Sequence, residues 1–253
     1  MEYNNFFVIA FFILGAVAGS FLNTVALRLP KKISWIQARS RCPHCEKTLA
    51  WYELIPFVSF VLQQGKCRKC QRRISLSYPF TELVCGILFA GAFFYFQFTP
   101  ELIFALVMFA FFFVIFLTDL RYYLILDRVT VPALLIAFLG NLLLGKNVTS
   151  LLLGIAIGAG IFLLQFFLSR GTWIGGGDIR LGALLGATLG WQQTILALLI
   201  AYVVGAVIAM LLLVVGKKTR KDHIPFGTFL SASGILMILY GDSILKIFNT
   251  WYF

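Results

Sequence analysis

"LGALLGATLGWQQTILALLIAYVVGAVIAMLLLVVG", residues 181–216, runs for 36 residues without a single charge. A helix rises about 1.5 Å per residue, so roughly 20 apolar residues cross the hydrocarbon core of a bilayer. The run is too long for one crossing. "GWQQ" at 190–193 is its natural break, which gives two shorter helices. The rest of the chain has the same character. Only 12% of its 253 residues are charged and 60% are hydrophobic, with 27 phenylalanines and a mean hydropathy of +0.93; soluble domains carry roughly 25% charged residues. Further uncharged windows lie at 6–27, 83–100, 102–118, 129–145, 147–169 and 224–241. The expected fold class is an all-α polytopic membrane protein with about eight transmembrane helices. The segment 1–27 reads as a retained first helix rather than a signal peptide. Glu2 is the only charge before Arg28, and the basic "ALRLPKK" follows at once.

The net charge of +11 suggests nucleic acid until the charges are placed. With eight spans and an outside N-terminus, nineteen of the 21 Lys and Arg residues fall on one side. Eleven sit in 28–77, Arg121 and Arg128 in the next loop, Arg170 and Arg180 around a glycine run, and four in 217–221. Only Lys146 and Lys246 fall on the other side. Lys and Arg collect in cytoplasmic loops. The expected placement is therefore the bacterial inner membrane, with both termini outside and the basic face toward the anionic inner leaflet. Lipid bilayer, not nucleic acid, is the expected partner.

The one long polar segment, 28–80, carries "CPHC" at 42–45 and "CRKC" at 67–70. Twenty-one residues separate Cys45 from Cys67. Two CxxC pairs at this spacing read as a tetrahedral zinc site. The predicted ligands are Cys42, Cys45, Cys67 and Cys70. The loop is too small for a core of its own, so a metal can hold it folded. His44 reads as a solvated neighbour and Cys85 as a small buried hydrophobe. The chain thus divides into a first helix at 1–27, a zinc-clipped cytoplasmic loop at 28–80, and a membrane core of about seven helices at 81–253.

Two acids lie at the rims of apolar helices. Asp119 ends the third span in "FLTDLRYYLILD", and Asp178 follows three glycines in "WIGGGDIRL". Ionisable groups at membrane depth are costly and point to function. Two close carboxylates share one proton, so one serves as base and the other as acid. That arrangement activates water and protonates a leaving amine, which is aspartic peptidase chemistry. The glycines would let a substrate backbone approach and open backbone angles closed to other residues. Plainer readings stand beside this one. Asp119 could pair with Arg121 at the interface, GGGD could be a loop with Asp178 as helix cap, and Asp127 competes with Asp119 as the partner acid.

Five blocks together resemble the type IV prepilin peptidases, membrane aspartic peptidases of the GxGD type. They are "GSFLNTVALRLP" at 19–30, the cysteine region at 40–86, "TDLRYYLILDRVTVP" at 118–132, "GGGDIRLGALLGA" at 175–187 and "IPFGTFLSASG" at 224–234. The resemblance implies that Asp119 and Asp178 are the catalytic acids and that the four cysteines bind structural Zn2+. It implies a prepilin or pseudopilin substrate, cut after the glycine of a short basic leader at the cytoplasmic face. Many cysteine-bearing members also methylate the new N-terminus from S-adenosylmethionine; no residues for that cofactor are legible here. Arg180 stands where Lys is usual, Leu126 replaces a proline, and Glu53 sits where Asp or Asn is commoner. The alternative from the residues alone is a proton- or ion-coupled transporter that uses Asp119 and Asp178.

Overall fold

The computed structural model describes residues 2–34, 39–217, 219 and 223–252. Apart from two isolated β-bridges, every regular element among them is helical. The chain forms two compact units, Met1–Leu102 and Ile103–Phe253.

In the first unit, α1 (Glu2–Arg28) lies against α3 (Ser77–Phe96). Between them come a 3₁₀ turn (Trp51–Leu54) and the short α2 (Val58–Leu62). The α1–α3 seam is made of small residues. A Cβ on Gly19 would fall 2.8 Å from the Cys85 Cβ and 2.9 Å from the Thr81 carbonyl, and one on Gly86 would strike Phe12. Helices in lipid gain nothing from hiding apolar surface, so close backbone approach supplies the van der Waals contact instead. Beyond that seam Phe11 stacks on Phe93, with ring centroids 4.6 Å apart. Phe98 closes the cluster edge-on. Cys85 is buried in α3, as its apolar surroundings lead one to expect.

The second unit contains most of α4 (Pro100–Tyr122), then α5 (Asp127–Leu143), α6 (Val148–Leu168), α7 (Gly176–Leu189), α8 (Trp191–Val214) and α9 (Phe226–Tyr252). The helix α7 is its axis: every residue from Leu181 to Leu189 is buried, and α5, α6, α8 and α9 all pack on it. A helix apolar on every face belongs inside such a bundle. Its fit to α6 depends on two matched glycine pairs. Gly154 and Gly158 of α6 meet Gly186 and Gly182 of α7, backbone against backbone, and any Cβ at these positions would overlap the opposite chain. This is the small-xxx-small crossing of membrane helices, used on both partners at once. The Asn141 side chain on α5 donates to the Ala187 and Thr188 carbonyls at 2.7 and 2.8 Å. The C-terminal end of α7 is thereby tied as well.

The break expected at "GWQQ" is a single residue. Gly190, at φ +78°, ends α7 and opens α8, an angle that favours glycine. Among the described residues eight of the helices have 14 residues or more, against the eight transmembrane helices expected. Among the described residues six of them are long and apolar enough to cross a membrane, which makes this a multi-pass membrane protein. The other two, α5 with 17 residues and α7 with 14, are shorter. At 14 residues α7 spans roughly 21 Å, less than the hydrocarbon thickness of about 30 Å. It is shielded by its neighbours rather than by lipid. Apart from Lys217 and Thr219, the basic loop expected at 217–221 lies outside the described residues.

Adding one methyl at the α6–α7 seam should be felt. Overpacking a tight contact costs about 1–3 kcal/mol. Gly158→Ala is therefore expected to lower the thermal unfolding midpoint in detergent, whereas Gly160→Ala, where a Cβ meets nothing within 4 Å, should not. Equal midpoints for the two variants would contradict the packing described.

Candidate functional site

Asp119 lies in the last turn of α4 and is 5% exposed. A carboxylate so buried needs donors. They come from the N-terminus of α9, where the first backbone N–H groups have no partner inside the helix. The Thr228 amide donates to Asp119 Oδ2 at 2.7 Å and the Thr228 hydroxyl to the same oxygen at 3.1 Å. The seat is open only because residue 227 is glycine: a Cβ there would stand 3.0 Å from Asp119 Oδ2 and 2.8 Å from Ile125. Asp119 is thus held by α9 rather than by Arg121.

Asp178 occupies the first turn of α7, two residues past its start. The helix cap is Gly175, so Asp178 is not the cap. Its amide donates to the Gly175 carbonyl at 3.2 Å. The carboxylate is half-buried and within electrostatic reach of Asp119. One side chain, Ile125, is wedged between the two helix starts. A Cβ on Gly177 would fall 2.8 Å from the Ile125 Cβ, as one on Gly227 would strike its Cδ1. Of the two reasons expected for the glycine run, unusual backbone angles do not apply. None of Gly175, Gly176 and Gly177 has a left-handed φ. Gly177 is needed for close approach to Ile125, while a Cβ on Gly175 or Gly176 would meet nothing closer than 3.6 Å.

Asp127 is spoken for elsewhere. It begins α5 and forms an ion pair with Arg180 of α7. Both side chains are well exposed, so the pair contributes about 1 kcal/mol or less; it gives Asp127 a cationic partner on α7. Tyr202 of α8 also lies within electrostatic reach of Asp178. Tyr202 exchanges hydrogen bonds with Gln165 of α6 at 2.8 and 3.0 Å and packs against Phe226 at 4.8 Å. Thr228, Gly227, Ile125 and Tyr202 were not assigned roles from sequence. Thr228 is 109 residues from Asp119, and no local periodicity joins them; only its position directly after "IPFG" marks it.

In the first unit the four predicted cysteines converge. Their sulfurs all lie within 4.8 Å of one another. Cys42 and Cys70 are 3.8 Å apart, Cys45 and Cys67 3.9 Å. A metal with four thiolates at about 2.3 Å in a tetrahedron would place its sulfurs roughly 3.8 Å apart, whereas a disulfide needs about 2.05 Å. The donor set fits a metal ion and not a pair of bridges. Each CxxC forms the same small knuckle. The Cys42 amide donates to the Lys47 carbonyl and the Cys67 amide to the Arg72 carbonyl, both at 2.9 Å. Glu46 and Gln71, at matching positions, both adopt φ near +56° (55° and 57°). The backbone N–H groups of Cys70 and Lys69 draw the Cys67 thiol down to about 6. The Lys47 amide pulls Cys45 the same way, but burial and the three facing sulfurs push it up to about 11. A cation would relieve that crowding. Buried Glu53 locks the first knuckle, accepting from Lys47 at 2.9 Å and from the Ala50 amide at 2.9 Å. His44 is exposed and meets Arg72, not the sulfurs.

Comparison with known proteins follows the same division. Residues 13–96 match the model described as the bacterial peptidase A24 N-terminal domain. Residues 106–210 match that of the type IV leader peptidase family. A Bacillus subtilis protein named prepilin leader peptidase/N-methyltransferase is 37% identical over 94% of this chain and 96% of its own length. Proteins of the same name from Legionella pneumophila and Myxococcus xanthus are 33% and 36% identical, over 87% and 82% of this chain and 77% and 63% of their own lengths. No solved structure matches the chain.

Elemental analysis of the purified protein should find about one tetrahedral thiolate-bound divalent ion per chain. Cys67→Ser is expected to lose most of it and Cys85→Ala to keep it. Equal metal content in the two variants would refute the cluster as the ligand set.

Proposed function

The chain belongs to the type IV leader peptidase family, and from that premise we propose that it removes the leader from prepilins or pseudopilins with Asp119 and Asp178 as its catalytic pair. The observation that carries this reading is the convergence of two helix N-termini, those of α7 and α9, on one pair of carboxylates around Ile125. Family membership leaves the transporter reading without support.

The chemistry needs no nucleophilic side chain. Two interacting carboxylates titrate as a unit and hold one proton between them. Asp119, its Oδ2 fixed by Thr228, is placed to take a proton from a water bound between the acids. Asp178, on the more open side, gives its own proton to the scissile carbonyl oxygen; as the tetrahedral carbon collapses, Asp119 passes the water's proton to the leaving amine and Asp178 recovers one from a hydroxyl on that carbon, which restores the pair. The uncrowded flank of Gly175 and Gly176 leaves room for a peptide backbone beside Asp178. The substrate class follows from the relatives, which are named as prepilin peptidases. The site opens to the cytoplasmic face of the bacterial inner membrane in this reading, because nineteen of the 21 cations fall on one side of the spans read from the sequence. The cysteine cluster takes Zn2+ as a structural clip for the loop. S-adenosylmethionine would be the methyl source for the second activity in the relatives' name.

Cleavage of a tagged prepilin by purified protein tests the assignment. Asp119→Asn and Asp178→Asn are each expected to lose activity by a factor of about 100 or more, the scale of general acid–base catalysis. Near-wild-type cutting by either variant would remove that residue from the mechanism. Thr228→Val keeps the backbone donor but deletes the hydroxyl. A hydrogen bond to a charged group contributes about 1.5–3 kcal/mol, so kcat should fall by roughly one to two orders of magnitude with KM little changed. An unaltered kcat would show that the hydroxyl does not support Asp119.

A further inference from the structure

We propose that residues 51–62, with Leu76 and Phe80, form a wedge that enters the bilayer beside α1 and α3 and binds the acyl chains of the cytoplasmic leaflet. The inference stands on the first unit alone and does not depend on the peptidase reading. It refines the expected division of the chain, in which all of 28–80 is a cytoplasmic loop.

The stretch "LIPFVSFVLQQG" at 54–65 carries no charge. It is too short to cross a membrane, but about 10–14 apolar residues is the length of an interfacial or re-entrant segment. Its bulky side chains are not hidden. Trp51, Val61, Leu62 and Leu76 are each between 70% and 78% exposed, and Phe80 and Val58 are exposed too. The helix α2 has two faces. Ser59, Phe60 and Gln63 line a cavity of about 500 Å³ whose wall also carries Glu82, Arg28, Arg41, Arg72 and Arg73. Val58, Val61 and Leu62 take no part in that lining and make up the exposed face.

Depth decides what covers that face. The Phe57 amide donates to Glu82 Oε2 at 3.0 Å, and the Phe57 ring stacks on Phe12 of α1 with centroids 6.2 Å apart. Phe12 in turn packs on Gly86. Glu82 and Gly86 lie five and nine residues past Ser77, where α3 begins, so Phe57 stands roughly 8–14 Å along that helix. With 20 residues, α3 is roughly 30 Å long, the thickness of the hydrocarbon core. Phe57 therefore lies below the headgroups. The backbone turns there at φ +58°, an angle unusual for a phenylalanine, and α2 leads back toward the second knuckle. A chain at that depth must satisfy its own backbone. The Ser59, Val61 and Gln63 amides donate to the Ile55, Phe57 and Ser59 carbonyls at 2.9–3.0 Å, and the Gly65 amide to the Phe60 carbonyl at 2.9 Å.

Charge and continuity also favour lipid. Glu53 is the only charge in 48–65, and it is buried against Lys47. Exposed Lys66, Arg68, Lys69, Arg72 and Arg73 follow at once, a cationic rim suited to anionic headgroups. Trp51 and Tyr52 supply the aromatic side chains common at a membrane interface. The apolar face runs on through Phe80 into exposed Leu83 and Ile87 of α3, a helix long and apolar enough to span the bilayer.

The test is photo-labelling of the full-length protein in nanodiscs of phosphatidylethanolamine and phosphatidylglycerol, with a phosphatidylglycerol analogue that carries a diazirine midway along one acyl chain. Adducts are expected on residues 54–65 as well as on α3, and not on the knuckle at 41–47. An ionised group at bilayer depth is costly, so a double variant, Val61→Glu with Leu62→Glu, is expected to lose about tenfold or more of the label in 54–65. Label on α3 and metal content should stay as in the wild type. Should the variant not fold, the wild-type pattern decides alone. Label on α3 with none in 54–65 of the wild type would overturn the proposal. So would undiminished label in the folded variant. Label in 54–65 that disappears when prepilin is added would give the surface to substrate instead of lipid. The roles of Asp119 and Asp178 are untouched by any of these results.

Discussion

A carboxylate in an apolar helix bundle is stable only where something donates to it, and here the donor is the start of another helix. Asp119 is buried on α4 and reaches the unpaired amides that open α9, with the Thr228 hydroxyl as a second hand on the same oxygen. That contact joins residues 109 positions apart and fixes where α9 begins. It also explains why Gly227 must be glycine. The rest of the second unit arranges itself around this seat. Ile125 fills the space beside it, Gly177 yields to Ile125, and Asp178 then stands in the first turn of α7 within reach of Asp119. The depth of α7 is set independently, by the glycine pairs that bring its backbone against α6. Asp178 comes within electrostatic reach of Asp119 because one helix is pulled in by glycines and another is pinned by a buried charge.

Much of this was legible in the residues. The 36-residue uncharged run had to break, and it breaks at Gly190. The cysteine spacing fixed the cluster, because two CxxC turns can present four sulfurs to one cation and little else. Asp119 and Asp178 stood out because acids at helix rims in an apolar chain are conspicuous. The matched pairs Gly154/Gly158 and Gly182/Gly186 were readable in principle, since each is a spacing of four inside an apolar run. What sequence could not deliver was long-range partnership. Nothing near Thr228 announces that it serves Asp119, and nothing near Asp127 says that Arg180 will occupy it. The reason assigned to the glycine run was half right. The run is about space beside Ile125 and Asp178, not about unusual backbone angles. The lengths of α5 and α7 also escaped the sequence, because burial by neighbouring helices relaxes the requirement that every long apolar helix match the bilayer.

The two units handle charge by different means. The second sets two of its acids, Asp119 and Asp178, at the N-termini of α9 and α7. The first gathers arginines around a cavity and holds them there on two knuckles of the same geometry, locked by four sulfurs and by the Glu53–Lys47 pair. A loop of this size has too little apolar surface to fold unaided, and a metal held by the four sulfurs would supply the missing constraint. Glu82 links the two themes. It is a buried acid like Asp119, but among the described residues it forms no ion pair, and it lines a cavity.

The most direct measurement is an experimental structure of the protein with a peptide analogue in which a tetrahedral hydroxyl-bearing carbon replaces the scissile carbonyl. Such a hydroxyl occupies the place of the attacking water. Carboxyl oxygens of both Asp119 and Asp178 should lie within hydrogen-bond distance of that one hydroxyl, with Thr228 still donating to Asp119. A hydroxyl held by only one of them, with the other turned away toward a different partner, would contradict the shared-proton pair on which the mechanism stands.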